Sequence, residues 1–200
     1  MSALVVSVLV SLDGRYQGPG GDLSVLPLED AFNDHNLRLL RGADTMVYGA
    51  TWFRLNLETS SAMAADENAA ERDRAIADVV LRVDNLVVSD AVELDERDPW
   101  FDSIQVVSRS EAVDEVRRRK EEGERMLMFG SSTTWRPFLE AGLVDELFVL
   151  VDAGMAGSGT ALYDGPTVQG LALLDATVLP GSQLVALHYD CTAPEISAAV

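Results

Sequence analysis

Cysteine is almost absent: Cys191 is the only one in 200 residues. No intrachain disulfide and no multi-cysteine metal site can form, and the zinc-deaminase pattern H-x-E…P-C-x-x-C is missing. Basic residues are scarce as well. Fifteen Lys and Arg stand against 33 Asp and Glu, a formal charge of −18, which works against binding nucleic acid or an anionic membrane through bulk electrostatics. Long apolar runs are missing. The run from Ala3 to Val10 is far shorter than a membrane span, carries no basic leader and leads directly into Asp13. A chain with these shortages is expected in the cytoplasm, with no nucleic-acid and no membrane partner. An anionic ligand would need local help from backbone N–H groups or a few arginines.

What is present is an apolar content of 48%, which over 200 residues fits at most two small domains, or one domain with a sizeable core. Residues 1–190 are expected to form it, with 191–200 as a frayed tail. Ala3 to Val10 is rich in Val and Leu without alternation, as in a strand covered on both faces. Ser11-Leu12-Asp13-Gly14 follows, and Asp-Gly after a strand is by itself a turn. Gln17 to Asp22, with three glycines and a proline, reads as a mobile loop able to cover a site. Leu28 to Arg41 is predicted helical, with Leu28, Ala31, Phe32, His35 and Leu39 on one stripe, Pro27 at its start and Gly42 at its stop. His35 on that stripe reads as a core histidine or as a substrate contact.

Ala43 to Tyr48 is a predicted strand ending in Gly49-Ala50-Thr51. Ser60 to Leu81 is alanine-rich and mixed in charge, and reads as one helix facing solvent or another subunit, with little apolar stripe. Leu86 to Val88 is a short strand ending in Ser89-Asp90, and Asp95 to Asp102 is a polar connection. Ile104 to Val107 is a strand, and Ser108 to Glu111 is a capping box for a helix ending near Gly123. The one basic cluster, Arg117 to Lys120, reads as helix C-terminal charge paired with Asp114 and Glu115 rather than as an anion site.

Arg125 to Phe129 is an apolar run of strand length that stops at Gly130-Ser131-Ser132. Trp135, Phe138 and Leu139 then recur at helical spacing, Gly142 supplies a stop, and Glu146 to Val151 is a second run, expected as an interior strand. This is a βαβ unit with parallel strands, and the start of its helix presents free N–H groups to an anionic phosphate. An irregular turn over Ser131 to Thr133 is expected, with a helix start near Thr133 or Thr134 that puts Pro137 in the permissive first turn. Gly154, Gly157 and Gly159 follow the second strand. Neither glycine turn is G-x-G-x-x-G or a P-loop, so spacing alone leaves each as a phosphate turn or a plain connection. Leu173 to Leu179 and Gln183 to Tyr189 flank Pro180-Gly181-Ser182 as an antiparallel hairpin in which His188 reads as structural.

Gly130-Ser131, Phe138-Leu139, Gly142-Leu143-Val144-Asp145-Glu146-Leu147 and Gly157-Ser158-Gly159, in that order, resemble the end of the dihydrofolate-reductase-like family. The nearest branch contains the reductase domain of bacterial riboflavin biosynthesis, the RibD C-terminal domain. A first strand ending in Ser-Leu-Asp-Gly is that family's recurrent opening, and the resemblance covers residues 3–190. It implies an α/β fold: three layers, α/β/α, with a mixed, mostly parallel sheet and a C-terminal antiparallel hairpin. It implies hydride transfer from NADPH or NADH to a C=N or C=O of a small heterocycle such as a pteridine or ribitylaminopyrimidine, and a homodimer.

Carried onto this chain, the resemblance gives Asp13 with Ser11 and Gly14 to the substrate, and Glu29 or Asp30 to orienting it or relaying a proton. His35 is included among the substrate contacts. Gly49, Thr51, Gly130, Ser131 and Ser132 would cradle cofactor phosphates, Ser89 and Asp90 would lie near the ribose end, and Gly157 and Gly159 would flank the nicotinamide or substrate. No metal is implied. The family's Gly-Arg-x-Thr arginine falls at Ala50, and Asp90 stands where a neutral or basic residue is usual, so the preference for NADPH is expected to be weak or reversed. Two other readings stand beside this one: a non-catalytic relative that binds a ligand or partner on the same scaffold, and a reductase with a flavin-type cofactor.

Overall fold

The computed structural model describes residues 2–26, 28–97, 100–168 and 170–192. Pro27, the expected helix start, and most of the expected tail, residues 193–200, lie outside them.

All eight residues of β1 (Ala3–Val10) are buried, as an apolar run without alternation requires. Its side chains divide between two cores. Val5 and Leu9 face one, and Leu4, Val6, Val8 and Val10 face the other. Around β1 the main sheet adds β3 (Thr45–Gly49), β4 (Asp84–Val88), β5 (Ile104–Val107), β6 (Arg125–Phe129), β7 (Glu146–Val151), β9 (Ala172–Val178) and β10 (Val185–Asp190). Their order is β5-β4-β3-β6-β1-β7-β10-β9. The first six run parallel, and β10 and β9 close the sheet antiparallel. β7 is interior, as expected, and β1 lies between it and β6. A small separate sheet pairs β2 (Arg15–Gln17) with β8 (Thr160–Ala161).

On one face α1 (Asp30–Leu40), α2 (Trp52–Ala65) and α3 (Glu71–Val80) cover Val5, Leu9, Met46, Tyr48 and Leu127. On the other α4 (Ala112–Glu121) and α5 (Ser132–Glu140) cover Val6, Val8, Met126 and Met128, with Trp135 and Phe138 fully buried. This is the expected three-layer α/β/α arrangement.

Three local expectations are corrected. The stretch expected as one helix over Ser60 to Leu81 is two, because Asp66 turns back to accept the Asn68 N–H and Ala70 is extended. These helices are not bland solvent faces: Phe53, Leu57, Val79 and Val80 are buried. In α1 the buried residues are His35, Asn36, Leu37 and Leu40, whereas Leu28 is exposed. Pro137 lies inside α5, since the left-handed Ser131 (φ 58°) lets the helix begin at Ser132. The basic cluster on α4 is paired as expected: Arg117 with Asp114, Arg118 with Glu115 and Glu122, Arg119 with Glu115 and Glu124. The capping box forms too, with Ser108 and Glu111 bonding each other's backbone N–H.

Candidate active site

The parallel strands end on one edge, and their order places the sequence-predicted residues in a row. Ser89 and Asp90 follow β4, Gly49 to Thr51 end β3, Gly130 to Ser132 follow β6, and Ser11 to Gly14 follow β1. At about 4.8 Å per strand, β4 to β1 spans roughly 14 Å.

The centre of that row is built by close approach. A Cβ on Gly49 would lie 2.6 Å from Ser131 Oγ and 2.7 Å from Thr134 Oγ1, so only glycine lets the start of α5 rest on the end of β3. Ser132 and Thr133 begin α5 with backbone N–H groups that have no protein partner among the described residues. With the helix dipole behind them, those groups suit an anionic phosphate. The N–H of Ser131 is already used, donating to the Tyr16 phenol oxygen at 2.6 Å. Thr51 sits exposed at the start of α2 with its side chain uncommitted to a cap. Ser89 is buried and accepts the N–H groups of Ala91 and Val92, which shapes the loop after β4. Asp90 accepts the Arg109 N–H at 2.9 Å and lies 3.7 Å from its guanidinium. Arg109 was not expected there; the order β4-β5 brings it in.

Beside the row, under α1, α2 and α3, is a cavity of about 310 Å³. Its floor is Ser7 and Leu9 of β1, Tyr48 of β3, and Phe129 with Gly130. Helix α1 turns Phe32, Asn33, Asn36 and Leu40 toward it, the spacing of one helical face. Trp52, Asn56, Ile76 and Val80 close it from α2 and α3. Two pairs of its polar groups are bonded to each other: Ser7 Oγ donates to Asn36 Oδ1 at 3.2 Å, and Asn56 Nδ2 to the Tyr48 oxygen at 2.7 Å. Burial raises the pKa of both Tyr16 and Tyr48. Both phenols therefore stay protonated at neutral pH.

Glu29 and Asp30 do not line this cavity, contrary to expectation. Glu29 is the extended N-cap of α1 and Asp30 its first residue, and both carboxylates are engaged by other elements. Asp30 pairs with Arg72 of α3 at 2.8 Å, which holds its carboxyl below the usual range. Glu29 accepts the Ser182 hydroxyl of the β9–β10 hairpin. His35 also lies outside the cavity, buried edge-on against Phe148, with Nδ1 2.8 Å from Arg38 Nη2. Burial, with Arg38 and His188 nearby, pulls its pKa down to about 4.

Asp13 is a brace between loops. It accepts the Ser11 hydroxyl at 2.6 Å and the N–H groups of Ala156 and Gly157 at 2.9 and 2.8 Å. The Ser11 bond first, then those of Ala156 and Gly157, pull its pKa down to about 2, so the carboxylate is ionised and filled with donors. Gly14 takes the left-handed turn (φ 73°) that folds β2 back, and its carbonyl accepts the Leu162 N–H. Gly159, also at positive φ, crosses so close to Gln17 that a Cβ would collide with the Gln17 carbonyl. Ser11, Asp13, Gly14, Gly157 and Gly159 thus assemble a flap, β2 with β8, that carries Tyr16 to the cavity.

Sequence reasoning missed Tyr16, Tyr48, Asn33, Asn36, Trp52 and Asn56. Asn33 and Asn36 had a usable signal: two amides at helical spacing beside Phe32 and Leu40.

Residues 2–185 match the family model of the RibD C-terminal domain. The chain belongs to that family. Among curated proteins none matches it. Among solved structures, a Shewanella sp. PV-4 protein named for riboflavin biosynthesis is similar over 94% of this chain and 98% of its own, with 19% identity and a TM-score of 0.67. The diaminohydroxyphosphoribosylaminopyrimidine deaminase/5-amino-6-(5-phosphoribosylamino)uracil reductase of Thermotoga maritima is similar over 94% of this chain, with 13% identity and a TM-score of 0.62. This RibD C-terminal domain spans 56% of that protein. Dihydrofolate reductase from Enterococcus faecalis, solved with NADP(H), is similar over 94% of this chain and 95% of its own, at 13% identity and a TM-score of 0.56. At such identities the likeness is one of fold, and the fold is dihydrofolate-reductase-like. No helix among the described residues is long and apolar enough to cross a membrane.

Proposed function

We propose that this RibD C-terminal domain is a nicotinamide-dependent reductase that passes a hydride from NADPH or NADH to a C=N or C=O of a small heterocyclic or carbonyl compound. The observation that carries the reading is the position of Gly130, which lines the cavity and also opens the Gly130–Ser132 turn. A dinucleotide on the turn and a ring in the cavity would meet there. The bound nicotinamide supplies the hydride, and the chain's own residues do the rest. Gly49, Thr51, Gly130, Ser131 and Ser132 hold phosphates, with Ser89 and Asp90 toward the ribose end. The apolar walls hold the acceptor and exclude water. Tyr16 receives the Ser131 N–H on its oxygen, which leaves its own O–H free to donate to the acceptor atom. The protein is further proposed to work as a cytoplasmic homodimer.

Calorimetric titration with NADPH and NADH tests this reading, followed by loss of nicotinamide absorbance with a panel of carbonyl and pteridine compounds. Binding of at least one cofactor is expected. Failure of both would overturn it in favour of a non-catalytic ligand-binding relative, a reading supported by the lack of any carboxylate among the described cavity residues. A flavin spectrum retained by the purified protein would assign a flavin-type cofactor instead.

A further inference from the structure

The cavity also indicates what kind of compound it takes, granted that it is the substrate site of the proposed reductase. Every described residue that lines it is uncharged at neutral pH: aliphatic and aromatic side chains, one serine, two tyrosines, three asparagines. The flanking arginines are spent elsewhere. Arg72 is tied to Asp30, Asp34 and Asp73, and Arg38 lies against His35. The chain next to the lining is acidic and apolar: Asp22 precedes Leu23, Glu29 and Asp30 follow Leu28, and Leu28 is 63% exposed. The chain's −18 deepens the negative field. A phosphate monoester brought here would lose hydration without meeting the cationic or fork-shaped donors that normally replace it.

The polar groups present suit a different partner. Ser7 gives its proton to Asn36 Oδ1, which leaves the Asn36 amide N–H groups as donors. Tyr16 keeps its O–H free beside Gly130. Such donors on an apolar wall match the carbonyl or imine acceptors of a flat, neutral ring.

We infer that the cavity binds an uncharged, planar carbonyl- or imine-bearing compound and discriminates against a phosphorylated substrate. The donors that meet its acceptor atoms are Tyr16 and Asn36. The substrate class would thus differ from the phosphoribosylamino compound named for the Thermotoga relative.

The test uses calorimetry on the full chain without cofactor, with two probes: menadione as the neutral ring carbonyl, and uridine paired with uridine 5′-phosphate. Menadione should bind, with affinity reduced about tenfold or more in Asn36→Leu. Uridine should bind at least tenfold more tightly than its phosphate. Asn33→Lys, which adds a cation to the lining, should shift the uridine pair toward the phosphate. No binding of menadione would overturn the inference, and so would a uridine phosphate that binds as well as uridine in excess inorganic phosphate, which fills the Gly130–Ser132 turn. Thermal melts of each variant show whether it is folded; should Asn36→Leu fail to fold, the uridine pair on the parent decides. Because no nicotinamide is present, these outcomes are independent of whether the cofactor titration succeeds.

Discussion

Tyr16 and Ser131, 115 residues apart in sequence, meet where the phenol oxygen accepts the Ser131 N–H at 2.6 Å. This bond fastens the β2–β8 flap to the start of α5. It also fills one of the backbone donors that a phosphate would use.

Tyr16→Phe should therefore move two quantities in opposite directions. Loss of a buried hydrogen bond costs about 1 kcal/mol of stability, read by chemical denaturation. The freed N–H becomes available to a phosphate, so affinity for the cofactor should rise about fivefold, the equivalent of ~1 kcal/mol. Unchanged affinity would mean that the phosphate does not use Ser131.

Glycine at 159 is required by its contact with Gln17 as well as by its positive φ of 124°. Gly159→Ala should part β8 from β2 and cost about 1–3 kcal/mol, the usual range for overpacking. Amide exchange over residues 17–23 is expected to be fast in the free protein, slower with cofactor, and faster again in the variant. Slow exchange in the free parent would rule out a moving flap.

How far such features can be read from the chain varies along it. Ile104–Val107, Arg125–Phe129 and Glu146–Val151 are legible to the residue, because each is an apolar run bounded by turn or polar residues. The break between α2 and α3 is not, since residues 64–70 are mostly good helix formers and the break depends on one side chain, Asp66, bonding two residues on. The turn after β6 is local and is visible as Gly130-Ser131-Ser132. The cavity is not local. Ser7, Asn36, Tyr48 and Asn56 come from four elements, and which of their neighbours face inward depends on strand register and helix rotation. Glu29 and Asp30 show the same dependence: Glu29 caps α1 with extended backbone and accepts the Ser182 hydroxyl, and Asp30 pairs with Arg72, so neither lines the cavity that Asn33 and Asn36 enter.

His35 gives a pH dependence with a definite sign. Its folded pKa is lowered from 6.5 to about 4, so its neutral form is the one that the fold accepts. The contribution to stability is complete above pH 6.5 and is lost as pH falls toward 4, because the unfolded chain takes up the proton first. At about 1.4 kcal/mol per pH unit the loss approaches roughly 3 kcal/mol. His35→Gln should flatten that part of the profile. Denaturation midpoints from pH 7 to 4 decide it, and a parent profile flat across the range would refute the assignment.

The edge strand β9 shows Leu173, Leu174 and Val178 more than half exposed. An apolar edge of this kind would suit a second copy, and the proposed homodimer is expected to use it. Light scattering at micromolar concentration should give twice the 21.6 kDa chain mass. Leu174→Lys with Val178→Lys should give the monomer. A parent that is already monomeric would remove the dimer.

In the proposed reductase, cofactor choice would depend on the Asp90 end of the row, where the ribose phosphate of NADPH would bring close to two negative charges. An arginine contact to such a group is charge-assisted and worth about 1.5–3 kcal/mol, and Ala50, exposed after β3, offers none. Asp90 adds a like charge, partly offset by Arg109 at 3.7 Å. Arg109 is 72% exposed and could turn from Asp90 to the phosphate, though Asp90 would then be left beside both. The balance gives a preference for NADPH over NADH that is weak or reversed. Ala50→Arg with Asp90→Ser should shift it toward NADPH by about tenfold or more, ~1.4 kcal/mol. Arg109→Ala in the parent should weaken NADPH more than NADH, and the same substitution in an Asp90→Ser background should still do so if that arginine serves the phosphate and should leave the ratio unchanged if it serves Asp90 alone. Dissociation constants for both cofactors on the parent and these variants settle the matter, and a parent binding NADPH a hundredfold more tightly than NADH would defeat the argument from Ala50 and Asp90.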